Sequence, residues 1–74
     1  MRTYRVRTDI YTDETGKSHT VYGIELVEHN RLVVAVPDLF FEPSRAKAFA
    51  ELCNRCELAP MHLMEVIDNE LAKI

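Results

Sequence analysis

Glycine is scarce in this chain: Gly16 and Gly23 are the only two, and they stand apart. A phosphate-cradling loop needs clustered glycines so that consecutive backbone amides can turn toward an anion, and that chemistry is excluded. Cysteine is equally scarce, with Cys53 and Cys56 alone. A structural zinc site takes four ligands, and the histidines His19, His29 and His62 are scattered rather than paired with the cysteines. No metal and no other cofactor is expected. Long apolar runs are missing too. Leu32 to Val36 is the longest, far short of the ~20 residues that cross a bilayer, so no membrane association is expected.

A basic surplus is also lacking. The net charge is −3, whereas a general nucleic-acid binder displaces phosphate counterions with a positive surface. Nucleic acid is therefore an unfavoured partner, although the charge is unevenly spread. Arg2, Arg5 and Arg7 make the first segment basic, and the last segment carries Glu65, Asp68 and Glu70 against Lys73. Such asymmetry can steer a partner or a second copy, or can amount to two solvated faces. Met1 to Arg7 has no apolar stretch of the signal-peptide kind, and with two cysteines the expected location is the cytoplasm.

What is present is an ordinary small core. The chain has 74 residues, of which 47% are hydrophobic and 28% charged. That length makes one domain, burying only about 60% of its unfolded surface, so oligomerisation is a natural supplement to its stability. In residues 2–11, Tyr4, Val6, Thr8 and Ile10 alternate with Arg5, Arg7 and Asp9, the period of a strand buried on one side. A polar loop follows, with Gly16 free to take positive φ. The second strand, about residues 19–28, turns Tyr22, Ile24 and Leu26 inward. Glu28 to Arg31 is a tight turn in which Asn30 best suits a left-handed position. Residues 32–36 make a third, largely buried strand that Pro37 is expected to stop. Short loops favour an antiparallel meander.

Two helices complete the chain. Pro43 or Ser44 starts the first, about residues 44–56, and Ala46, Phe49, Ala50 and Cys53 follow amphipathic spacing. The second, about residues 60–73, opens at Pro60 and is expected to bury Leu63, Met64, Ile67, Leu71 and Ile74. The expected fold class is a two-layer α+β domain in the order βββαα, a three-stranded antiparallel β-meander followed by an α-helical hairpin. Between strands and helices, Leu39, Phe40 and Phe41 are too apolar for a free loop. They either close one end of the core or, if exposed, anchor a protein partner.

No catalytic residues emerge. Cys53-Asn54-Arg55-Cys56 is formally C-x-x-C, but it sits near a helix end, where the dipole disfavours a thiolate. His62 and Glu65 are three apart with no third group nearby. The helix pair fails as a helix-turn-helix because Glu65, Asp68 and Glu70 on the second helix would repel phosphates. An enzyme is not expected.

The runs Glu51-Leu52-Cys53-Asn54-Arg55, Leu58-Ala59-Pro60, His62-Leu63, Val66-Ile67 and Leu71, with Val21-Tyr22-Gly23-Ile24, resemble a family of short bacterial proteins, mostly from Firmicutes, of unknown function (DUF6514). The resemblance implies a bacterial cytoplasmic protein and carries over no catalytic or ligand-binding residue. In that pattern Ser commonly precedes the proline, where it would cap the second helix; here Ala59 stands instead. Asn54 and Arg55 can bond the last carbonyls of the first helix, making the break a joint that sets the interhelical angle. Alternatively Arg55 and His62 project together beside Met61 and Met64 as a small binding site, since flexible methionines suit adaptable surfaces. The reading that follows is a non-enzymatic protein-interaction or regulatory module. It would bind a protein partner or itself through a sheet edge or through Arg55, Met61, His62 and Met64. Nucleic-acid binding through Arg2, Arg5 and Arg7 is the alternative.

Overall fold

The computed structural model describes residues 2–73. The strands β1 (Arg2–Thr12), β2 (Ser18–Glu28) and β3 (Arg31–Phe40) pair in chain order as an antiparallel meander. The helix α1 (Pro43–Arg55), a 3-10 turn at Pro60–His62 and the helix α2 (Leu63–Leu71) follow. The helices cover one face of the sheet, giving the two-layer βββαα arrangement expected from the apolar periodicities.

The core assembles where those periodicities meet. Tyr4, Ile24, Leu26 and Phe40 from the sheet pack with Ala46, Phe49, Ala50 and Cys53 of α1 and with Leu63 and Ile67 of α2. Phe40 and Phe49 meet edge to face at 6.0 Å, and the Arg45 guanidinium lies 4.9 Å from the Phe40 ring centroid, a cation–π contact. Val21 is buried as well but lies outside this cluster, on the opposite side of β2 from Ile24.

Two hairpin turns set the registers. Gly16 takes φ 85°, and Asp13 Oδ1 accepts the Thr15 and Lys17 amides at 2.9 and 3.0 Å, an Asx-type brace for the first turn. His29 and Asn30 both take positive φ, at 52° and 63°, as a two-residue type I′ hairpin turn requires.

β3 departs from expectation. Pro37 does not stop it; the strand continues to Phe40 across an irregularity in which Ile24 pairs with Val36 but Tyr22 pairs with Phe40. Pro is tolerated here because β3 is an edge strand with a bulge, where a missing amide breaks no ladder. Gly23 explains how the bulge fits, since a Cβ at this position would lie 2.2 Å from the Val36 carbonyl oxygen. Nor is β3 largely buried: Leu32 and Val33 are exposed because the helices leave its first residues uncovered.

The aromatic pair divides. Phe40 closes the core at 4% exposure, whereas Phe41 is 73% exposed. Two helical expectations are also corrected. The second helix opens with a 3-10 turn, and Met64 and Leu71 are exposed rather than buried, because only Leu63 and Ile67 point into the core. Ile74 lies outside the described residues.

Candidate functional site: the edge of β1 and the interhelical joint

The joint is built from the end of α1. Glu57 adopts a left-handed conformation at φ 48°, its amide donates to the Asn54 carbonyl, and the Leu58 amide donates to the Cys53 carbonyl at 3.0 Å. This is a Schellman cap with Glu where Gly is usual. The Asn54 and Arg55 side chains are therefore not bonded to the last carbonyls, contrary to expectation, because the amides of Cys56, Leu58 and Glu57 serve those of Leu52, Cys53 and Asn54. Arg2 Nη1 donates to the carbonyls of Glu57 and Leu58 at 3.3 and 3.1 Å. The Tyr4 hydroxyl donates to the Leu58 carbonyl at 2.6 Å.

Asn54 is thereby free to reach across to β1. Its Oδ1 accepts the Tyr4 amide at 2.7 Å and its Nδ2 donates to the Tyr4 carbonyl at 2.8 Å. The side-chain amide thus makes the two bonds that a neighbouring strand would make. Tyr4 must point its backbone groups away from β2 for this to happen. Because β1 and β2 pair without a register shift from Arg2 to Thr12, Val6, Thr8 and Ile10 point theirs outward too. Among the described residues, no hydrogen bond reaches those three from outside the sheet. Ile10 is 75% exposed. The result is a straight strand edge, closed at Tyr4 and open beyond it.

Of the residues proposed at the joint, Arg55, Met61, His62 and Met64 are all exposed, with Met61 at 83%. Arg55 makes no ion pair or side-chain hydrogen bond among the described residues. The arginines of β1 do not form one face. Arg2 lies on the helix side and bonds carbonyls, while Arg5 and Arg7 lie on the other side, paired with Glu25 and Asp9. A basic groove would need them free and together.

Cys53 is buried and Cys56 exposed, both as free thiols. Burial, with the neighbouring Cys56, pushes the Cys53 thiol up to about 11, the opposite of a reactive cysteine. Arg2, Thr3, Tyr4, Glu28, Cys53, Asn54 and Glu57 line an open concavity of about 540 Å³. Tyr4 and Asn54, which could orient a ligand there, spend their polar groups on the clasp. His62 and Glu65 are exposed beside it in sequence, and among the described residues no three metal-ligating side chains converge. Among the described residues, no helix is long and apolar enough to cross a membrane.

Asn54 and Tyr4 are what sequence reasoning missed. The one available signal was a polar Asn in the last turn of an amphipathic helix, directly after the buried Cys53, where a side chain can still reach the sheet.

Fold and site together define a small two-layer α+β domain whose helical hairpin is clasped to one sheet edge by a side-chain amide. The chain belongs to the family of unknown function DUF6514, whose model matches residues 2–73. Neither a curated protein nor a solved structure matches it.

Proposed function

We propose that this chain is a non-enzymatic, cytoplasmic protein-interaction module that accepts a strand on the open edge of β1. The observation that carries this reading is the edge itself: Val6, Thr8 and Ile10 present outward backbone groups in a straight register, beside an exposed apolar Ile10. An extended segment adding there gains main-chain hydrogen bonds for affinity and alternate side-chain contacts for specificity. The concavity at the joint supports no competing chemistry, because its amide and phenol are committed to holding the fold.

The test is retention from a nuclease-treated host lysate, read by mass spectrometry. Thr8→Pro removes an outward amide without touching the β1–β2 ladder, since edge strands tolerate proline on the solvent side. A specific protein, or the chain itself, should be retained by the parent and by an Arg55→Ala/His62→Ala variant, and lost with Thr8→Pro. Loss with the Arg55 and His62 changes would instead move the surface to the joint. Nuclease-sensitive recovery that disappears in Arg5→Glu/Arg7→Glu would favour nucleic acid.

A further inference from the structure

We infer that the strand accepted by the β1 edge is β1 of a second copy, paired antiparallel about a twofold axis at Thr8. This inference rests on the edge reading above and adds the partner and the register. Outward backbone groups alternate along a strand, so two β1 edges can pair only with even-numbered residues opposite one another in hydrogen-bonded positions. Asn54 occupies Tyr4, so in a pairing centred on Thr8, where Thr12 would fall opposite Tyr4, the paired stretch runs from Val6 to Ile10.

A register centred on Ile10 would leave Val6 unpaired and set Arg7 against Asp13, which its own turn already holds. Registers centred on Arg7, Thr8 and Asp9 remain, and charge separates them. Centring on Arg7 places the two Arg7 side chains opposite each other. Centring on Asp9 does the same with two carboxylates. Like charges directly opposite are unfavourable in a sheet. Centring on Thr8 places Arg7 against the second copy's Asp9 and, by symmetry, Asp9 against its Arg7. It also sets Val6 against Ile10 and Thr8 against Thr8 on the helix side, both favourable cross-strand pairs. Arg5 then faces Tyr11, which is 48% exposed and offers a ring to the guanidinium. The existing Arg7–Asp9 pair, with contacts of 2.8 and 3.0 Å, already lies in the strand register and would extend into a four-charge alternating cluster.

The helix side leaves room, since Thr8 and Ile10 are both exposed beyond the helices. An isologous pairing of this kind makes one continuous six-stranded sheet and covers Ile10 on both copies. It also removes an open edge that would otherwise template aggregation.

Sedimentation velocity on the purified full chain, from about 10 µM to about 1 mM, tests this, since small interfaces act in that range. The parent should dimerise with rising concentration, and amide exchange at Val6, Thr8 and Ile10 should slow in parallel. Arg7→Asp and Asp9→Arg should each weaken self-association about tenfold or more, because each sets like charges opposite one another. Mixed in equal amounts, the two variants should recover the dimer, because each then meets its complement. Circular dichroism on each variant confirms that the fold persists. A chain that stays monomeric to the highest concentration, or a dimer indifferent to both variants, overturns the pairing. In either case lysate retention and its loss in Thr8→Pro still decide separately whether the β1 edge binds another protein.

Discussion

The two outer strands of this sheet manage the same liability in opposite ways. β3 is irregular along its length: it shifts register between Leu26 and Val27, shifts again around Gly23, contains Pro37 and places Asp38 at φ 59°. Bulges and proline twist an edge and remove its donors, and both protect against strand addition. β1 has no such device over its length and is closed at one point only, by the Asn54 side chain at Tyr4. An edge that is protected everywhere has no partner to meet. An edge stopped at a defined position has a register, and this contrast is what makes β1 the candidate surface.

Breaking β3 should have the largest effect. Gly23→Ala forces a Cβ to within 2.2 Å of the Val36 carbonyl and 2.7 Å of the Pro37 Cα, both backbone atoms that cannot swing away. The bulge must open or β3 must detach, and a loss of about 3 kcal/mol in unfolding free energy is expected from chemical denaturation. A near-neutral Gly23→Ala would show that the β3 irregularity is soft and does not protect the edge.

Removing the stop on β1 comes next. Asn54→Ala leaves the Tyr4 amide and carbonyl without their partners. Partial solvation limits the cost to about 1–2 kcal/mol, or several degrees in melting temperature. Asn54→Asp, which keeps the acceptor but loses the donor, should fall between parent and Ala. The same Ala variant lengthens the open edge by one residue pair, so its self-association should strengthen while its stability falls. Both parameters falling together would assign Asn54 to folding alone.

The difference between the edges also explains what could be read in advance. The elements and the face of the first helix were legible because their signals are local and periodic: Ala46, Phe49, Ala50 and Cys53 were placed in the core from spacing alone, and all are buried, whereas Met64 and Leu71 of the second helix, placed there likewise, are exposed. β3 was misjudged because the rule that proline ends a strand assumes a regular ladder. The bulge that admits Pro37 depends on Gly23, a residue on another strand. Phe40 and Phe41 could not be separated, since the strand was expected to end at Pro37 and only its continuation to Phe40 puts that ring on the core face. The Asn54–Tyr4 clasp joins residues 50 positions apart and has no periodicity to reveal it.

Acid should act on the far end of β1 before it reaches the clasp. Asp13 accepts hydrogen bonds from Thr15 and lies 2.8 Å from His19 Nε2, and these contacts lower its carboxyl to about 2. A depressed carboxyl contributes stability that is fully present above its unfolded value of about 4 and lost as pH falls through about 2. Thr15 and Lys17 amides should therefore lose exchange protection across that window. In Asp13→Asn the window should flatten. Protection at Val6 and Thr8 that falls with the turn would tie the edge to the hairpin; protection that persists would make them independent.

The smallest effect is expected on the clasp's own support. Ala59 precedes the 3-10 turn with φ −73° and ψ 139°, the extended geometry of an N-cap, but carries no side-chain acceptor. A serine there can accept the Met61 amide, one of the donors left open at a helix start, whereas the His62 amide already donates to the Ala59 carbonyl at 3.0 Å. Ala59→Ser should add about 0.5–1 kcal/mol, raising the melting temperature by a few degrees. Because the joint delivers Asn54 to Tyr4, a firmer start to the second helix should also slow exchange at the Tyr4 amide without altering that of Thr8. An unchanged melting temperature would mean that the start of the second helix is already satisfied by its packing. A slowed Thr8 amide would mean that the joint and the open edge move as one unit, and that β1 is less independent of the helices than its straight register implies.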